Sequence, residues 1–410
     1  MAWDVIVIGG GPAGLICAGT AARRGKKVLV AEKMERPARK ILVTGKGRCN
    51  VTNNCDSDRF FAAVRNGGRF LQSAYSAFSA QDAMALVEGL GVPLKTERGD
   101  RVFPVSERAM DIADALVKYA KTGGAVIRRH EIEALWIEEE GLRGVVTADG
   151  ERLEAGSVVV ATGGLSYPGT GSTGDGYRLA EQAGHVLIPA RASLIPIETA
   201  EPWCKDLMGL SLKNVELRVL DENKGKKKPV FREQGEMLFT HFGVSGPLVL
   251  SASAHMAGEI SRYRLEIDLK PALTPEQLDA RLQRDFGENS TRDFSNSLGK
   301  LLPSALIPVV AGLSGIPADR KCNQITKEQR RSFAALLGAL PLTPKAFRPI
   351  EEAVITAGGV KLSEVSPKTM ESKLLPGLHF AGEVLDLDAY TGGFNLQIAY
   401  STGYAAGTYC

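Results

Sequence analysis

Short apolar runs separated by glycine turns and helical segments dominate the start of the chain. Residues 3–8, WDVIVI, form a short apolar, β-branched run, which predicts a strand buried on both faces of a sheet. An alanine-rich helical segment follows from Leu15 to Arg24, and a second apolar run spans Lys27 to Ala31. The pattern therefore predicts a βαβ unit at the start of the chain.

Helical and strand patterns continue to alternate up to about residue 190. Helical patterns run from Arg59 to Leu90 and from Glu107 to Thr122, with a hairpin pattern between them. The run SVVVA, residues 157–161, predicts another buried parallel strand that leads directly into a Thr-Gly-Gly turn. These elements extend the first βαβ unit into a larger α/β sheet.

The pattern changes twice after Pro189. Proline-interrupted β alternation comes first, and a helical stretch from Thr274 to Leu340 follows it. The C-terminal part returns to a strand, a glycine turn and a helix that begins near Asn395. We therefore predict an α/β fold with three domains: a Rossmann-type domain at 1–190 and 356–410, an inserted antiparallel β domain at 191–270 and 341–355, and a small helical domain at 271–340.

Three glycines follow the first strand with the spacing G-x-G-x-x-G. Gly9 allows the tight turn, Gly11 lets the backbone approach a pyrophosphate, and Gly14 lets helix and strand pack closely. Glu32 ends the second apolar run, where its carboxylate can accept hydrogen bonds from ribose hydroxyls. Because a carboxylate there would repel a 2′-phosphate, the motif favours FAD or NAD over NADP.

A second G-x-G-x-x-G occurs at Gly169, Gly171 and Gly174. The preceding strand ends too early for these glycines to form its immediate turn, and the next apolar run has no terminal acid. We therefore interpret this segment as a closely packed loop near the first cofactor rather than as a second nucleotide-binding fold.

The segment from Lys40 to Asn50 is glycine-rich and basic, with Lys46 and Arg48 in its second half. Basic groups and exposed backbone amides suit phosphates and a flavin ring, so we predict that this loop closes over a cofactor. Cys49 and Cys55 are separated by five residues rather than the four of flavin disulfide reductases. We therefore interpret them as a packed cysteine and a loop cysteine and not as a redox pair.

Composition narrows the class of protein only slightly. The chain has 410 residues and a formal net charge of +3, and none of its apolar runs reaches the length of a membrane span. It opens directly on a strand, so we expect no targeting peptide and a cytoplasmic location. Six cysteines and five histidines are scattered without metal-ligand spacing, so we expect no metal. The lysine run Lys224 to Lys228 is interpreted as a solvated hairpin tip.

The loop THFGVSGP, residues 240–247, precedes a predicted helix from Leu248 to Ala257 and contains a histidine. His241 is either a catalytic group or a packed histidine, and the sequence does not decide between them. Near the C-terminus, Gly382 and Glu383 end a strand before the last helix. The N-terminus of that helix would direct amides at the flavin and stabilise negative charge on its reduced form.

Several long motifs resemble the BaiN/YhiN-type flavoproteins, a family of bacterial FAD-dependent oxidoreductases. The matching segments are residues 9–14, KILVTGKGRCNVTNN at 40–54, ATGGLSYPGTGSTGDGY at 161–177, FTHFGVSGP at 239–247 and HFAGEVLDLDAYTGGFNLQIAYSTG at 379–403. Where the family reads SGGGRCN, this chain reads TGKGRCN, with Lys46 in place of a glycine. The resemblance covers the chain from end to end.

The resemblance implies an FAD domain of the glutathione-reductase type that carries an inserted β domain and a small helical domain. Family members include a reductase of unsaturated 3-oxo bile acid intermediates and an aminoacetone oxidase. From the glycine motif and the resemblance together, the predicted cofactor-binding residues are Gly9, Gly11, Pro12, Ala13, Gly14, Glu32, Lys33, Lys40, Thr44, Gly45, Gly47, Arg48, Cys49, Asn50, Glu131, Ile132, Ala161, Thr162, Gly163, Gly164, Gly382, Glu383, Asn395, Leu396 and Gln397.

From these features we predict an FAD-dependent oxidoreductase with NADH or NADPH as a transient electron donor. The favoured acceptor is a small organic molecule with a C=C bond conjugated to a ketone, of the bile-acid or steroid type, with His241 or Tyr390 as the proton donor. One alternative is an oxidase of a small amine or amino ketone such as aminoacetone. Another is a flavin-bearing RNA-modifying or RNA-binding protein.

The sequence shows no basic domain and no aromatic-basic interleaving, so we expect no nucleic-acid partner and no membrane partner. The oligomeric state is left open.

Overall fold

A computed structural model of the chain describes residues 2–224, 228–256 and 258–410. It divides into two compact units, residues 1–193 with 350–410 and residues 194–349. Among the described residues, none of the helices is both long and apolar enough to cross a bilayer. The predicted hairpin tip of the lysine run falls partly on residues 225–227, and Ala257 of the predicted helix also lies outside the described residues.

The strands of the described chain are numbered in chain order. They are β1 (Trp3–Ile8), β2 (Val28–Glu32), β3 (Thr52–Asn53), β4 (Val64–Asn66), β5 (Leu94–Glu97), β6 (Arg101–Pro104), β7 (Val126–Arg129), β8 (Ile132–Glu138), β9 (Gly141–Thr147), β10 (Arg152–Val160), β11 (Leu187–Ser193), β12 (Ile197–Thr199), β13 (Ser211–Asp221), β14 (Phe231–Thr240), β15 (Gly243–Ser245), β16 (Tyr263–Asp268), β17 (Leu340–Leu342), β18 (Pro344–Phe347), β19 (Ile355–Val360), β20 (Leu378–Phe380) and β21 (Asp388–Ala389).

The α-helices are numbered in the same way. They are α1 (Pro12–Arg23), α2 (Arg39–Val43), α3 (Ser57–Ala63), α4 (Gly68–Ala77), α5 (Ala80–Gly89), α6 (Ala109–Gly123), α7 (Asp175–Gln182), α8 (Trp203–Asp206), α9 (Pro247–Ser253), α10 (Pro275–Glu288), α11 (Phe294–Ser297), α12 (Ile307–Leu313), α13 (Lys327–Gly338) and α14 (Phe394–Tyr409).

The first unit is built on a mainly parallel sheet. Its central strands lie in the order β7-β2-β1-β10, with β20 parallel to the end of β10. The hairpin of β8 and β9 extends the sheet by pairing antiparallel with the start of β10. Ile6, Val30 and Val159 are fully buried, as expected for strands with helices on both faces. The βαβ unit predicted from the sequence is confirmed.

Parallel strands end at one edge of a sheet, and the turns at that edge form the site described below. Helix α1 leaves this edge directly after β1, and Pro12 at its first position suits a helix start. Two small antiparallel sheets, β3-β6-β5 and β4-β21, belong to the same unit. The hairpin predicted between the first two helical patterns is β5–β6, and Ser79 forms a capping box with Asp82 at the start of α5.

The second unit contains an antiparallel sheet in the order β17-β16-β13-β14-β15-β12-β18, together with α8 to α13. The sequence predicted the sheet and the helices of 271–340 as separate domains. In the structure Leu217 and Phe239 of the sheet belong to the same buried core as Leu282 and Phe333 of the helices. The amphipathic helices bury their apolar faces against one face of the sheet, and for this reason the two segments form one unit.

Candidate active site and cofactor-binding site

The glycine turn after β1 combines two close backbone contacts with one open position. A Cβ atom added to Gly9, whose φ is +101°, would lie 2.6 Å from the carbonyl oxygen of Ala161. A Cβ on Gly14 would lie 1.9 Å from the carbonyl oxygen of Gly9, whereas one on Gly11 would meet nothing within 4 Å. The space beside Gly11 lies at the N-terminus of α1, where free amides and the helix dipole favour a phosphate.

The carboxylate of Glu32 lies beside this turn. Its Oε2 accepts a hydrogen bond from the Gly10 amide at 2.7 Å, and its Oε1 accepts one from the Met34 amide at 2.8 Å. Each oxygen keeps a lone pair for a ribose hydroxyl. His130 donates its amide to the Glu32 carbonyl, which brings the following residues Glu131 and Ile132 to the same end of the sheet. These residues suit the adenosine part of a dinucleotide.

The second glycine motif packs against this end of the site. The Nζ atom of Lys33 lies 2.5 Å from Oδ2 of Asp175, the first residue of α7. A Cβ on Gly171 would lie 2.9 Å from the side chain of Met34. The motif therefore forms a close-packed loop next to Glu32 in the structure, in agreement with the sequence interpretation.

The turn after β10 offers backbone groups rather than side chains. The Ala161 amide bonds to the Ile8 carbonyl, which fixes the turn beside Gly9. The Thr162 hydroxyl is buried against Gly176 of α7 and has no hydrogen-bond partner among the described residues. Gly163 has a left-handed φ of +75°, and a Cβ on Gly164 would lie 2.5 Å from the hydroxyl of Thr356.

Two distant residues that the sequence assigned to the cofactor site are brought together as an ion pair. Nζ of Lys40 lies 2.6 Å from Oε2 of Glu383 and 2.7 Å from Oγ of Ser166. Oε1 of Glu383 accepts hydrogen bonds from Ser166 Oγ at 3.0 Å and from the Thr356 amide at 2.8 Å. The Glu383 carboxylate is thus held by three partners on separate segments.

The loop from Thr44 to Asn50 has an unusual backbone. Lys46 and Cys49 have φ values of +59° and +60°, which only glycine adopts freely. The Cys49 thiol is fully buried, and this burial raises its pKa to about 12. Oδ1 of Asn50 is buried without a hydrogen-bond partner among the described residues, so it is available to accept a hydrogen bond from a ligand.

A cluster of charges fixes Arg48 in the same loop. Its guanidinium forms ion pairs with Glu97, at 2.5 Å, and with Glu107, and it stacks 4.1 Å above the ring of Phe103. Lys95 also contacts Glu107. The hydrogen bond from Arg48 lowers the pKa of the Glu97 carboxyl. Arg48 therefore anchors the loop to the β5–β6 hairpin.

The start of α14 closes the other side of the site. The backbone of its N-cap, Gly393, is so close to Thr52 that an added Cβ would lie 2.4 Å from the Thr52 carbonyl group. The Asn395 side chain bonds to the backbone of Ala389 and Tyr390. These contacts leave the first amides of α14, including that of Leu396, at the loop that the sequence assigned to the flavin.

Gln397 was also predicted to bind the cofactor, and its side chain is fully buried. Its amide bonds to the Thr52 hydroxyl at 2.8 Å, to the Phe78 carbonyl at 3.0 Å and to the Ser401 hydroxyl at 3.0 Å. These bonds make Gln397 a support for Thr52 and for the loop before it.

Helix α14 packs backbone to backbone on α1. Cβ atoms on Gly403 and Gly407 would lie 2.3 and 2.4 Å from the carbonyl oxygens of Ala13 and Cys17. Gly382, with a φ of +77°, donates its amide to the Thr402 hydroxyl of α14 and lies against Ala13. This close packing joins the two helices whose N-termini line the site.

The predicted proton donors lie in different units. Tyr390 is half-buried, and its hydroxyl accepts a hydrogen bond of 3.4 Å from Arg65. His241 is exposed between β14 and β15, and its ring centre is 5.0 Å from that of Phe242. The structure describes Cys49 and Cys55 as buried free thiols. No group of three or more potential metal ligands occurs in the described part of the chain.

The first unit thus fits a dinucleotide with a flavin. It has an open position at Gly11, a carboxylate at Glu32, an unpartnered acceptor at Asn50 and a helix N-terminus at residues 394–396. A family model described as HI0933-like protein Rossmann domain matches residues 3–409. The chain belongs to this family. The resemblance found in the sequence motifs is confirmed.

Relatives of this HI0933-like protein match almost its whole length. It is 33% identical over 405 residues to a protein of Escherichia coli (strain K12) named ribosomal RNA dihydrouridine synthase, covering 98% of this chain and 96% of that one. It is 29% identical over 409 residues to the 3-dehydro-bile acid delta(4,6)-reductase of Clostridium scindens, covering 98% and 97%.

The solved structure of 3-ketosteroid-delta4-(5alpha)-dehydrogenase from Rhodococcus jostii RHA1 aligns with a TM-score of 0.50 at 15% identity, covering 99% of this chain and 96% of that one. At this identity the likeness supports the fold alone. The predicted fold class, a Rossmann-type FAD-binding domain with mixed α/β content and antiparallel sheets, is confirmed, and the protein is an FAD-dependent oxidoreductase.

Sequence reasoning missed the residues that hold the predicted ones in place. Ser166 and Thr356 position Glu383, and Glu97 and Glu107 position Arg48. Ser166 lies within the motif at 161–177 and could have been suspected from it. A carboxylate on a hairpin carries no local signal of a partner 49 residues away.

Proposed function

We propose that this protein uses FAD to reduce a carbon–carbon double bond conjugated to a carbonyl group, with NADH or NADPH as the electron donor. Similarity over nearly the whole chain to two reductive enzymes carries this proposal. Conversion of uridine to dihydrouridine saturates a bond conjugated to a ring carbonyl. Reduction at the delta 4 and 6 positions of a 3-oxo bile acid saturates bonds conjugated to a ketone. The two names therefore describe one type of chemistry on different molecules.

A uracil base in ribosomal RNA is the acceptor that we favour. The sequence alone favoured the bile-acid type and no nucleic-acid partner, but identity is higher to the relative named for ribosomal RNA, at 33% against 29%. Both matches cover nearly all of each chain, so neither relative has an extra domain that would explain the difference in substrate. The RNA-modifying alternative thus takes precedence over the unsaturated 3-oxo bile acid.

The second unit carries a small excess of positive charge, which favours an anionic partner without making the unit a basic domain. Residues 194–349 contain 22 lysine and arginine residues and 18 aspartate and glutamate residues, whereas the rest of the chain contains 28 and 29. The net positive charge of the chain therefore belongs to the second unit. Excess positive charge on one unit attracts the phosphate backbone of RNA.

The proposed roles of the residues follow from their chemistry. When bound, FAD would supply the hydride-transfer chemistry that this reaction needs at the carbon β to the carbonyl group. Gly11, Glu32 and the first amides of α1 and α14 would hold and orient the cofactor. His241 or Tyr390 donates the proton to the α carbon. The sequence predicts one dinucleotide-binding fold, which is assigned to FAD, so we expect the nicotinamide to bind beside the flavin in turn with the acceptor.

Anaerobic reduction followed by oxidation tests the proposal. The holoprotein is mixed without oxygen with NADH or NADPH, and bleaching of the flavin absorbance is followed. Uridine-containing ribosomal RNA is then added, and dihydrouridine is measured by mass spectrometry of the digested RNA. Bleaching by a nicotinamide and recolouring with formation of dihydrouridine is the expected result.

The same experiment distinguishes the proposed function from the two alternative functions. Recolouring by a 3-oxo bile acid with conjugated double bonds, but not by RNA, would assign the acceptor that the relative from Clostridium scindens favours. Bleaching by aminoacetone, without any response to NADH or NADPH, would instead indicate an oxidase. Either result would overturn RNA as the acceptor, and the second would overturn the direction of electron flow as well.

A further inference from the structure

The three basic residues of the 40–50 loop differ in what they contact. Lys40 is paired with Glu383 at 2.6 Å, and Arg48 is paired with Glu97 at 2.5 Å. Lys46 is exposed and forms no hydrogen bond or ion pair with the described residues. Lys40 and Arg48 therefore stabilise the loop through ion pairs. Lys46 does not contribute to the loop in this way.

The backbone at Lys46 has a conformation that is strained for a residue other than glycine. Its φ and ψ are +59° and +42°, and its neighbours Gly45 and Gly47 also have positive φ values. A non-glycine residue in this region is strained, whereas glycine adopts it freely. The related motif SGGGRCN has a glycine at this position. The strained lysine makes no hydrogen bond or ion pair with the described residues that would compensate for this strain, which points to an external ligand.

The position of Lys46 limits the ligand. The phosphates of a dinucleotide belong at the N-terminus of α1, beside Gly11. The 40–50 loop instead continues into Thr52, which packs on Gly393 at the start of α14, at the end assigned to the flavin ring. The cofactor phosphates are assigned to the other end of the site, so a phosphate bound by Lys46 would come from a visiting molecule.

We propose that Lys46 binds a phosphate of the substrate RNA, next to the uracil that is reduced. The inference rests on the proposed function and adds to it a residue that distinguishes a polyanionic substrate from an uncharged steroid. A single lysine acts as a point charge beside the RNA phosphate. It therefore increases the affinity and fixes the position of the RNA without recognising the base. The left-handed backbone of residues 45–47 sets the direction in which its side chain leaves the loop.

Binding of a fluorescein-labelled single-stranded oligouridine to the oxidised holoprotein, followed by anisotropy, tests the inference without any turnover. Lys46→Gly removes the charge and also the strain, so its melting temperature should equal or exceed that of the wild type. Loss of one phosphate contact to a single strand lowers the slope of log K against log salt by about 0.7, which is about an eightfold loss of affinity at 50 mM salt. Lys46→Arg should retain most of the affinity.

Lys121→Ala is a matched control, because Lys121 is an exposed lysine in the last turn of α6. That turn packs near Arg23 at the C-terminal end of α1, about 18 Å from the N-terminal end of this 12-residue helix. The control should bind RNA as the wild type does. Equal binding by Lys46→Gly and the wild type, with equal salt slopes, would overturn the proposal, as would an equal loss in Lys121→Ala.

Three further results identify the source of the phosphate and separate failure of this inference from failure of the proposed function. If Lys46→Gly weakens only the response of the flavin to NADH or NADPH, the anion is the nicotinamide pyrophosphate and the RNA assignment is wrong. If the wild type binds RNA in a Lys46-dependent manner but forms no dihydrouridine, the phosphate contact stands and the proposed reaction fails. If the wild type does not bind RNA, both fail.

Discussion

Lys40 and Glu383 are 343 residues apart in the chain, and yet Nζ of the first lies 2.6 Å from Oε2 of the second. Both side chains are about one-fifth exposed, at 20% and 19%. Removing one partner leaves a charge in a poorly solvated place. Because some water reaches the pair, the cost should fall below that of a fully buried pair, at about 1–3 kcal/mol.

Lys40→Met should therefore lower the free energy of unfolding and weaken FAD binding, since Glu383 loses its main partner. Urea unfolding of the apoprotein and FAD titration measure the two effects. The double variant Lys40→Met/Glu383→Gln should recover most of the stability, because no uncompensated charge remains. Simple addition of the two single losses would contradict a direct coupling.

Gly11 and Gly14 provide a second, paired prediction. Nothing lies within 4 Å of a Cβ on Gly11, so Gly11→Val should change the stability of the apoprotein by only about 1 kcal/mol. The same side chain would occupy the space for the pyrophosphate, and FAD binding should weaken by about 100-fold or more, or about 2.7 kcal/mol. Purified Gly11→Val should be colourless.

Gly14→Ala is the contrasting variant, since its Cβ would lie 1.9 Å from the Gly9 carbonyl oxygen. Helix α1 must move away from β1 to accept it, which should destabilise the apoprotein by about 3 kcal/mol. Thermal unfolding of both apoproteins measures the difference. A Gly11→Val protein that keeps its flavin, or a Gly14→Ala protein as stable as the wild type, would contradict the assigned roles.

Local patterns were sufficient for the parallel sheet and for the glycine turn. The run at 3–8 has no polar residue except Asp4, and the spacing of Gly9, Gly11 and Gly14 leaves little freedom in the turn that follows. Helix caps such as Thr274 were also predictable, because the capping bond to Gln277 depends on residues three positions apart. These features depend on neighbours in the sequence.

Contacts between distant segments could not be predicted in the same way. The union of the β and helical segments into one unit depends on the packing of Leu282 and Phe333 on the sheet, and amphipathic periodicity does not name the surface that a helix covers. The partners of Lys40 and Arg48 are equally non-local. The sequence could predict candidate cofactor-binding residues and missed the side chains that position them.

Cys49 and Cys55 should have no redox role with the flavin. A charge-transfer interaction requires a thiolate, and burial raises the pKa of Cys49 to about 12 and also raises that of Cys55. The double variant Cys49→Ser/Cys55→Ser should keep flavin reduction by nicotinamide and turnover. A long-wavelength charge-transfer band in the two-electron-reduced wild type that disappears in Cys49→Ser would disprove this prediction.

Acid should destabilise the first unit through His185. Its Nδ1 lies 3.2 Å from Oε2 of Glu364 and its Nε2 lies 2.8 Å from Oγ of Ser372. The Ser372 oxygen accepts the amides of Leu374 and Leu375, so its hydroxyl proton points to the ring, which is neutral. Burial lowers the pKa of His185 and outweighs the opposite effect of Glu364.

Because the folded pKa lies below the unfolded value of about 6.5, the unfolded chain takes up the proton first as the pH falls. The free energy of unfolding should then decrease below about pH 6.5, by up to about 1.4 kcal/mol per pH unit for this group. Burial also lowers the pKa of His379, which adds a decrease of the same sign. Urea unfolding from pH 8 to pH 5 measures the decrease. His185→Gln should show a shallower dependence, and a stability that rises as the pH falls would refute the assignment.

The last prediction concerns the proton donor. His241 is exposed between β14 and β15, so His241→Ala should change the free energy of unfolding by no more than about 0.5 kcal/mol. Loss of a general acid slows the step that it serves by about 10²–10⁴-fold. We expect this loss in oxidation of the reduced enzyme by the acceptor and not in reduction by NADH or NADPH. Stopped-flow measurement of each half-reaction separates the two.

Tyr390→Phe is the matched variant, because it removes the other candidate hydroxyl and keeps the ring beside Arg65. If Tyr390→Phe alone slows the acceptor half-reaction, the tyrosine is the donor. Equal slowing of both half-reactions by His241→Ala would mean that the histidine has a structural role instead.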